Sequence, residues 1–145
     1  MKKNDKNVYG VLKIEKIAHT GFKKWGEKRW GMTMIVGRHI IAELYGVPKE
    51  LISNEREVRR IIEEVVEEAE LTTVGSVYKQ FNPHGVTGVV LIAESHISVH
   101  TWPEHELVNL DVFTCGDVNK VEKAFKLFLQ KFKPKSYRHY VLDRG

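Results

Sequence analysis

Apolar and polar positions repeat with clear periods from residue 39 onward. His-Ile-Ile-Ala-Glu-Leu-Tyr at 39–45 reads as a strand ended by Gly46. Pro48 starts a turn, and Asn54 with Glu57 forms a capping-box-like helix start. Val58, Ile61, Ile62, Val65, Val66 and Ala69 then recur at helical spacing with Arg and Glu on the other face. That pattern predicts an amphipathic helix over 55–69. Its cluster of Glu63, Glu64, Glu67, Glu68 and Glu70 reads as a solvated face, not a metal site.

Residues 72–81, rich in β-branched and aromatic side chains, read as a second strand. Asn82-Pro83-His84-Gly85 is a loop by composition, and the apolar run 86–93 suits a buried strand. Residues 96–102 alternate, with Ile97, Val99 and Thr101 opposite His96, Ser98 and His100. Residues 107–114 give another strand. Asp117 caps a second helix with the stripe Val121, Phe125, Phe128, Leu129 and Phe132; Pro134 stops it, and 137–142 returns as a strand.

Strands clustered in the middle and flanked by two helices call for an α+β two-layer sandwich, an antiparallel sheet with both helices on one face. The uncovered face then needs a partner, so a homodimer through or beside the sheet is expected. Residues 1–31 are less periodic, with one plausible strand at 8–14.

Size and charge narrow the class. A chain of 145 residues with 42% hydrophobic content suits one domain with a modest core. No run of 18 apolar residues spans a membrane, and the basic Met1-Lys2-Lys3 start lacks the apolar core of a secretory signal. The cytoplasm is the expected compartment. The net charge of +4 is uneven: residues 1–31 hold nine Lys/Arg against three Asp/Glu, while the remainder is slightly acidic. A nucleic-acid partner would rest on Lys23, Lys24, Lys28 and Arg29 among Trp25 and Trp30, and a charged, solvated leader is the preferred reading.

The candidate chemistry lies in Glu94-Ser95-His96-Ile97-Ser98-Val99-His100-Thr101-Trp102-Pro103-Glu104, followed by the lone thiol Cys115. A serine, a nearby base and a thiol suit acyl shift and proton transfer. The odd spacing of Ser95 and His100 puts their side chains on opposite faces of a regular strand, so cooperation requires a bend at the Glu94–Ser95 junction. His96 and His100 mimic a metal pair, but four residues of strand separate them by about 13 Å. A Ser95–His100–Asp111 hydrolase triad is conceivable by residue type, yet no nucleophile-elbow glycines surround Ser95. Core histidines and a small buried cysteine are the bland account.

From Gly37-Arg38-His39 through Cys115-Gly116-Asp117 the chain closely resembles the prokaryotic S-adenosylmethionine decarboxylases, which make their own pyruvoyl cofactor by self-cleavage. The resemblance implies that the Ser95 hydroxyl attacks the Glu94 carbonyl. It implies that His100 takes the Ser95 α-proton for β-elimination, and that residue 95 becomes the pyruvoyl group that holds substrate as a Schiff base. Cys115 stands at the family's proton donor; thiols ordinarily titrate near about 8.5 and are protonated at neutral pH. Thr87, in Gly85-Val86-Thr87-Gly88, falls where many relatives carry serine and would support processing.

Glu104 matches an acid that accepts from the ribose hydroxyls, and Phe81 an aromatic ring that stacks on adenine; Trp102 reads as structural. The implied partners are S-adenosylmethionine and a second cleaved αβ protomer, with active sites at or near the interface, and no metal is expected. The implied domain runs from 32 to 145, split into 32–94 and 95–145. Family members commonly open with Met shortly before the Gly-Arg/Lys-His, so residues 1–31 are either a true extension or lie before a start at Met32 or Met34. Two rivals stand beside the decarboxylase of spermidine synthesis. One is a pyruvoyl-dependent arginine decarboxylase, which the residue 81–88 segment disfavours. The other is a non-catalytic binding homologue, which the presence of Glu94, Ser95, His100 and Cys115 disfavours.

Overall fold

The computed structural model describes residues 35–145; the strand expected at 8–14, the basic and tryptophan positions of the leader, and Met32 and Met34 lie outside them. Six strands form one antiparallel sheet: β1 (Gly37–Tyr45), β2 (Thr73–Gln80), β3 (Val86–Ile92), β4 (Ser95–Trp102), β5 (Leu107–Cys115) and β6 (Ser136–Arg144). Their spatial order is β2-β3-β4-β5-β1-β6. Three helices accompany them: α1 (Lys49–Ile52), α2 (Glu55–Glu68) and α3 (Val118–Phe132). The α+β architecture, with helices on one side of the sheet, is as expected. The addition is α1, a single turn after Pro48, too short to leave a periodic signature.

Capping and amphipathicity explain both long helices. The Asn54 side chain accepts from the Glu57 N–H at 3.0 Å, and Asp117 accepts from the Asn119 N–H at 2.9 Å, each satisfying a donor that the helix start leaves free. Val58, Ile61, Ile62, Val65 and Val66 of α2 meet Val121, Ala124, Phe125, Phe128 and Phe132 of α3 over the buried strand positions Ile40, Ala42, Ile97, Val99, Leu110 and Val112. The glutamate face of α2 is more than solvated. Lys131 of α3 reaches Glu64 at 3.0 Å and Glu68 at 2.7 Å, and it is the first cause holding the Glu64 carboxyl below its ordinary range. Exposed pairs of this kind add little stability; the apolar seam carries the load.

Phe128 is fully buried and stacks on Phe132 with ring centroids 5.9 Å apart. Phe128→Ala is therefore expected to cost about 3–5 kcal/mol, part lost transfer energy and part cavity, read as a lower denaturant midpoint at unchanged slope.

Two details position the site. Gly88 has no Cβ where one would lie 2.7 Å from the Tyr78 ring, so β2 and β3 close with Tyr78 lying across them. Arg38 clamps the end of β1, reaching Asp143 of β6 and Glu122 of α3, each at 2.7 Å. The expected bare face is present. On it lie Val77, Val89 and Leu91, all exposed, and the Asn109 Oδ1, buried with no hydrogen-bond partner.

Candidate active site

The Glu94–Ser95 bond lies where β3 turns into β4. Ile92 pairs with Ser95, so Ala93 and Glu94 make a two-residue hairpin turn. The turn lies before Ser95 and does not carry it towards His100, so the bend expected to bring that pair together within one chain is not what this junction supplies. The turn is tied down on both sides. The Ala93 N–H donates to the Thr72 carbonyl at 2.8 Å, and the Thr72 N–H donates to the Glu94 carboxylate at 3.2 Å. The Cys115 N–H donates to the Glu94 carbonyl oxygen at 2.8 Å. A backbone donor fixed on a carbonyl polarises it and is placed to hold negative charge on that oxygen.

Ser95 follows at once. Its Oγ lies 3.3 Å from Nδ1 of His96, and it pairs across the sheet with Thr114, whose Oγ1 is buried without a partner. The Cys115 thiol, next to Thr114, is free and exposed. Glu94 and Ser95 thus meet the backbone of Cys115, 20 residues after Ser95, because β4 and β5 pair in register.

The remaining candidates gather at the other end of the same sheet. Phe81, Thr87, His100 and Glu104 line one cavity of about 250 Å³, with His84, Gly85, Thr101 and Trp102. Thr87 faces His100 across β3 and β4, and its hydroxyl lies 3.0 Å from the imidazole Nδ1. The hydroxyl thereby fixes the ring's orientation. Trp102 tilts against His100 at 6.2 Å, so this residue, read as structural from sequence, is part of the cavity wall. Glu104 sits in a 3-10 turn, Pro103–His105, and its carboxylate is 3.2 Å from His84 Nε2. Its own backbone N–H, and then His84 and His105, hold that carboxyl below the ordinary glutamate range.

Within one protomer these two groups stay apart. Ser95 and His100 stand five residues apart on β4, about 17 Å along the strand. The Ser95–His100–Asp111 triad is absent as well: Asp111 accepts from His39 Nε2 and from the Ser98 hydroxyl, each at 3.1 Å. His96 and His100 share the strand, too far apart for one ion.

Three contributors had no sequence signal strong enough to find them: the Cys115 N–H, because backbone donors carry no residue code; His84, whose loop folds back onto Glu104; and the His39–Asp111 pair.

Known proteins resemble this chain in sequence and fold. Residues 38–145 match the family model described as S-adenosylmethionine decarboxylase. An Archaeoglobus fulgidus protein named S-adenosylmethionine decarboxylase proenzyme is 81% identical over 112 residues, which is 77% of this chain and 100% of that protein. A Hydrogenobaculum sp. protein of the same name is 49% identical over 114 residues, covering 79% of this chain and 85% of the relative. The crystal structure of the adenosylmethionine decarboxylase from Aquifex aeolicus superimposes with a TM-score of 0.76 at 46% identity, over 78% of this chain and 93% of that one. Among the described residues no helix is long and apolar enough to cross a membrane.

Proposed function

The chain belongs to the S-adenosylmethionine decarboxylase family, and we propose that it is a proenzyme that cuts itself between Glu94 and Ser95 and then decarboxylates S-adenosylmethionine, supplying the aminopropyl donor for spermidine synthesis. One observation carries the reading. The Glu94 carbonyl sits in a tight turn with the Cys115 N–H on its oxygen and the Ser95 hydroxyl on the next residue.

Attack by the Ser95 hydroxyl on that carbonyl moves the acyl group from nitrogen to oxygen. The charge that develops on the Glu94 oxygen falls on a donor already in place, so little reorganisation is needed. The ester so formed leaves far more readily than an amide, and removal of the Ser95 α-proton then releases the chain ending at Glu94. His100, oriented by the Thr87 hydroxyl, is the base for that proton. Since His100 cannot reach Ser95 of its own strand, it serves Ser95 of a second protomer. The bare sheet face with its unpartnered Asn109 Oδ1 is the surface for that pairing. Two such faces packed about a twofold axis bring the His100 end of one β4 to the Ser95 end of the other.

The residues present fit a pyruvoyl group at position 95. The unpartnered Thr114 hydroxyl opposite Ser95 offers it a hydrogen bond, and Cys115, with a free, exposed thiol, is the next residue along β5. That group supplies an electron sink for the pair left when the substrate carboxylate departs as CO2. Cys115 delivers the proton that replaces the lost carboxylate. Phe81 and Trp102 give aromatic faces for adenine and the sulfonium charge, and Glu104 accepts from the ribose hydroxyls. A cavity with a carboxylate and two aromatic rings suits the ribose and adenine of a nucleoside.

Denaturing electrophoresis of freshly purified protein is expected to show two fragments, 1–94 and 95–145, with labelled CO2 released from S-adenosylmethionine and not from arginine. A chain that stays whole, or one that turns over arginine alone, defeats the reading. Glu104→Gln is expected to leave the cut unaffected and to raise KM for S-adenosylmethionine by roughly tenfold, one hydrogen-bonded charge's worth. Initial rates across substrate concentration check it.

A further inference from the structure

Resting on the reading that the chain cuts itself at Glu94–Ser95, we propose that His96 is the base that takes the Ser95 hydroxyl proton during the acyl shift, so that His96 of one protomer and His100 of the other serve successive steps at one site. Among the described residues, His96 is the titratable group hydrogen-bonded to Ser95 Oγ, with Nδ1 at 3.3 Å. His100 cannot do this work in its own chain, being at the far end of β4 with its Nδ1 on Thr87. Lys120 is turned away, its ammonium 2.8 Å from the Glu70 carbonyl and 4.0 Å from the Glu94 carboxylate.

The His96 ring is also held in place. It packs edge-on to His39 at 6.1 Å and to Phe113 at 5.8 Å. His39 is anchored in turn by Asp111. At 3.3 Å the pair stands just beyond the reach of a working general base, a gap that resting sites commonly show and close on reaction, and the ring is restrained by packing on two sides.

The step balances without any co-reactant. The Ser95 O–H proton passes to His96 Nδ1 as Oγ bonds to the Glu94 carbonyl carbon. The carbonyl π pair moves onto oxygen, under the Cys115 N–H. On collapse that pair reforms the carbonyl, the C–N bond breaks, and the same proton leaves Nδ1 for the Ser95 nitrogen. The product is an isomer of the starting chain, and His96 is again neutral.

His96→Phe keeps a ring between His39 and Phe113 and removes both nitrogens. Uncut wild-type, His96→Phe and His100→Ala chains are incubated with and without hydroxylamine, which opens an ester and leaves an amide intact. Wild type is expected to split unaided. His100→Ala is expected to stay whole alone yet split with hydroxylamine, since the ester forms and waits. His96→Phe is expected to split at least about a hundredfold more slowly than wild type, with no acceleration by hydroxylamine because no ester accumulates. In His96→Gly, added imidazole is expected to restore cutting.

The inference is overturned if His96→Phe splits at the wild-type rate, or if it gathers hydroxylamine-sensitive ester as His100→Ala does. It is overturned equally if imidazole does nothing for a His96→Gly chain that melts as cooperatively as wild type. A wild-type chain that never splits, with hydroxylamine or without, brings down the Glu94–Ser95 reading itself and this assignment with it.

Discussion

Ser95→Ala chains alone and His100→Ala chains alone are each expected to remain whole, while the two co-expressed give cut product, and only from the His100→Ala chain. The reason is positional. Ser95 and His100 lie towards opposite ends of β4, about 17 Å apart. A site that uses both draws them from different protomers. In a mixed dimer, one site has the Ser95 of the His100→Ala chain and the His100 of its partner, and is intact. The other site has neither. Tagging each chain with a distinct mass and resolving the fragments by mass spectrometry reads the outcome directly. No cut in the mixture, with mixed dimers shown to be present, would place the α-proton base elsewhere than in a second subunit. A change from no product to product on one labelled chain is larger than any folding defect could mimic.

Cys115→Ala is expected to separate the two halves of the chemistry. In the proposed cut the residue acts through its backbone N–H, which sits 2.8 Å from the Glu94 oxygen, and alanine keeps that N–H. The thiol is a separate matter, free and exposed beside the turn. Self-cleavage should therefore continue at a rate near that of the native chain. CO2 release should fall by about a hundredfold to ten-thousandfold, the range a positioned proton donor contributes. Cut protein is quantified on denaturing gels, and turnover on the same sample with labelled substrate. Full decarboxylase rate in the alanine variant would remove Cys115 from the donor role.

Period-based signals carried the fold because they depend on local rules. The alternation over β4, with Ile97, Val99 and Thr101 inward, and the stripe on α3 each follow from one buried face. The Asn54 cap was legible because its partner is three residues away. The single turn of α1 was not, since four residues hold no repeat. For the site, the odd spacing of Ser95 and His100 already said that the pair needs more than one flat strand. The Ala93–Glu94 turn lies before Ser95 and does not shorten that separation, so the proposed remedy is a second protomer, which spacing does not give. Glu104 was found through its motif, whereas His84 opposite it was invisible: a loop histidine has no periodic partner, and the 3.2 Å contact arises only when the loop folds over the cavity. The Cys115 residue was singled out for its sulfur, while the contact seen at the scissile bond comes from its main chain.

The strand order has an outcome for what happens after the bond breaks. A cut at 94/95 assigns β1, β2 and β3 to one fragment and β4, β5 and β6 to the other, yet β1 is threaded between β5 and β6, and β3 stays laddered to β4. The fragments are interleaved like two hands with fingers crossed, and separating them would mean tearing three seams of main-chain hydrogen bonds at once. A protein cut at this turn is therefore expected to keep the hydrodynamic size of its precursor, with the severed turn as the place where new chain ends relax away from the reacting centre.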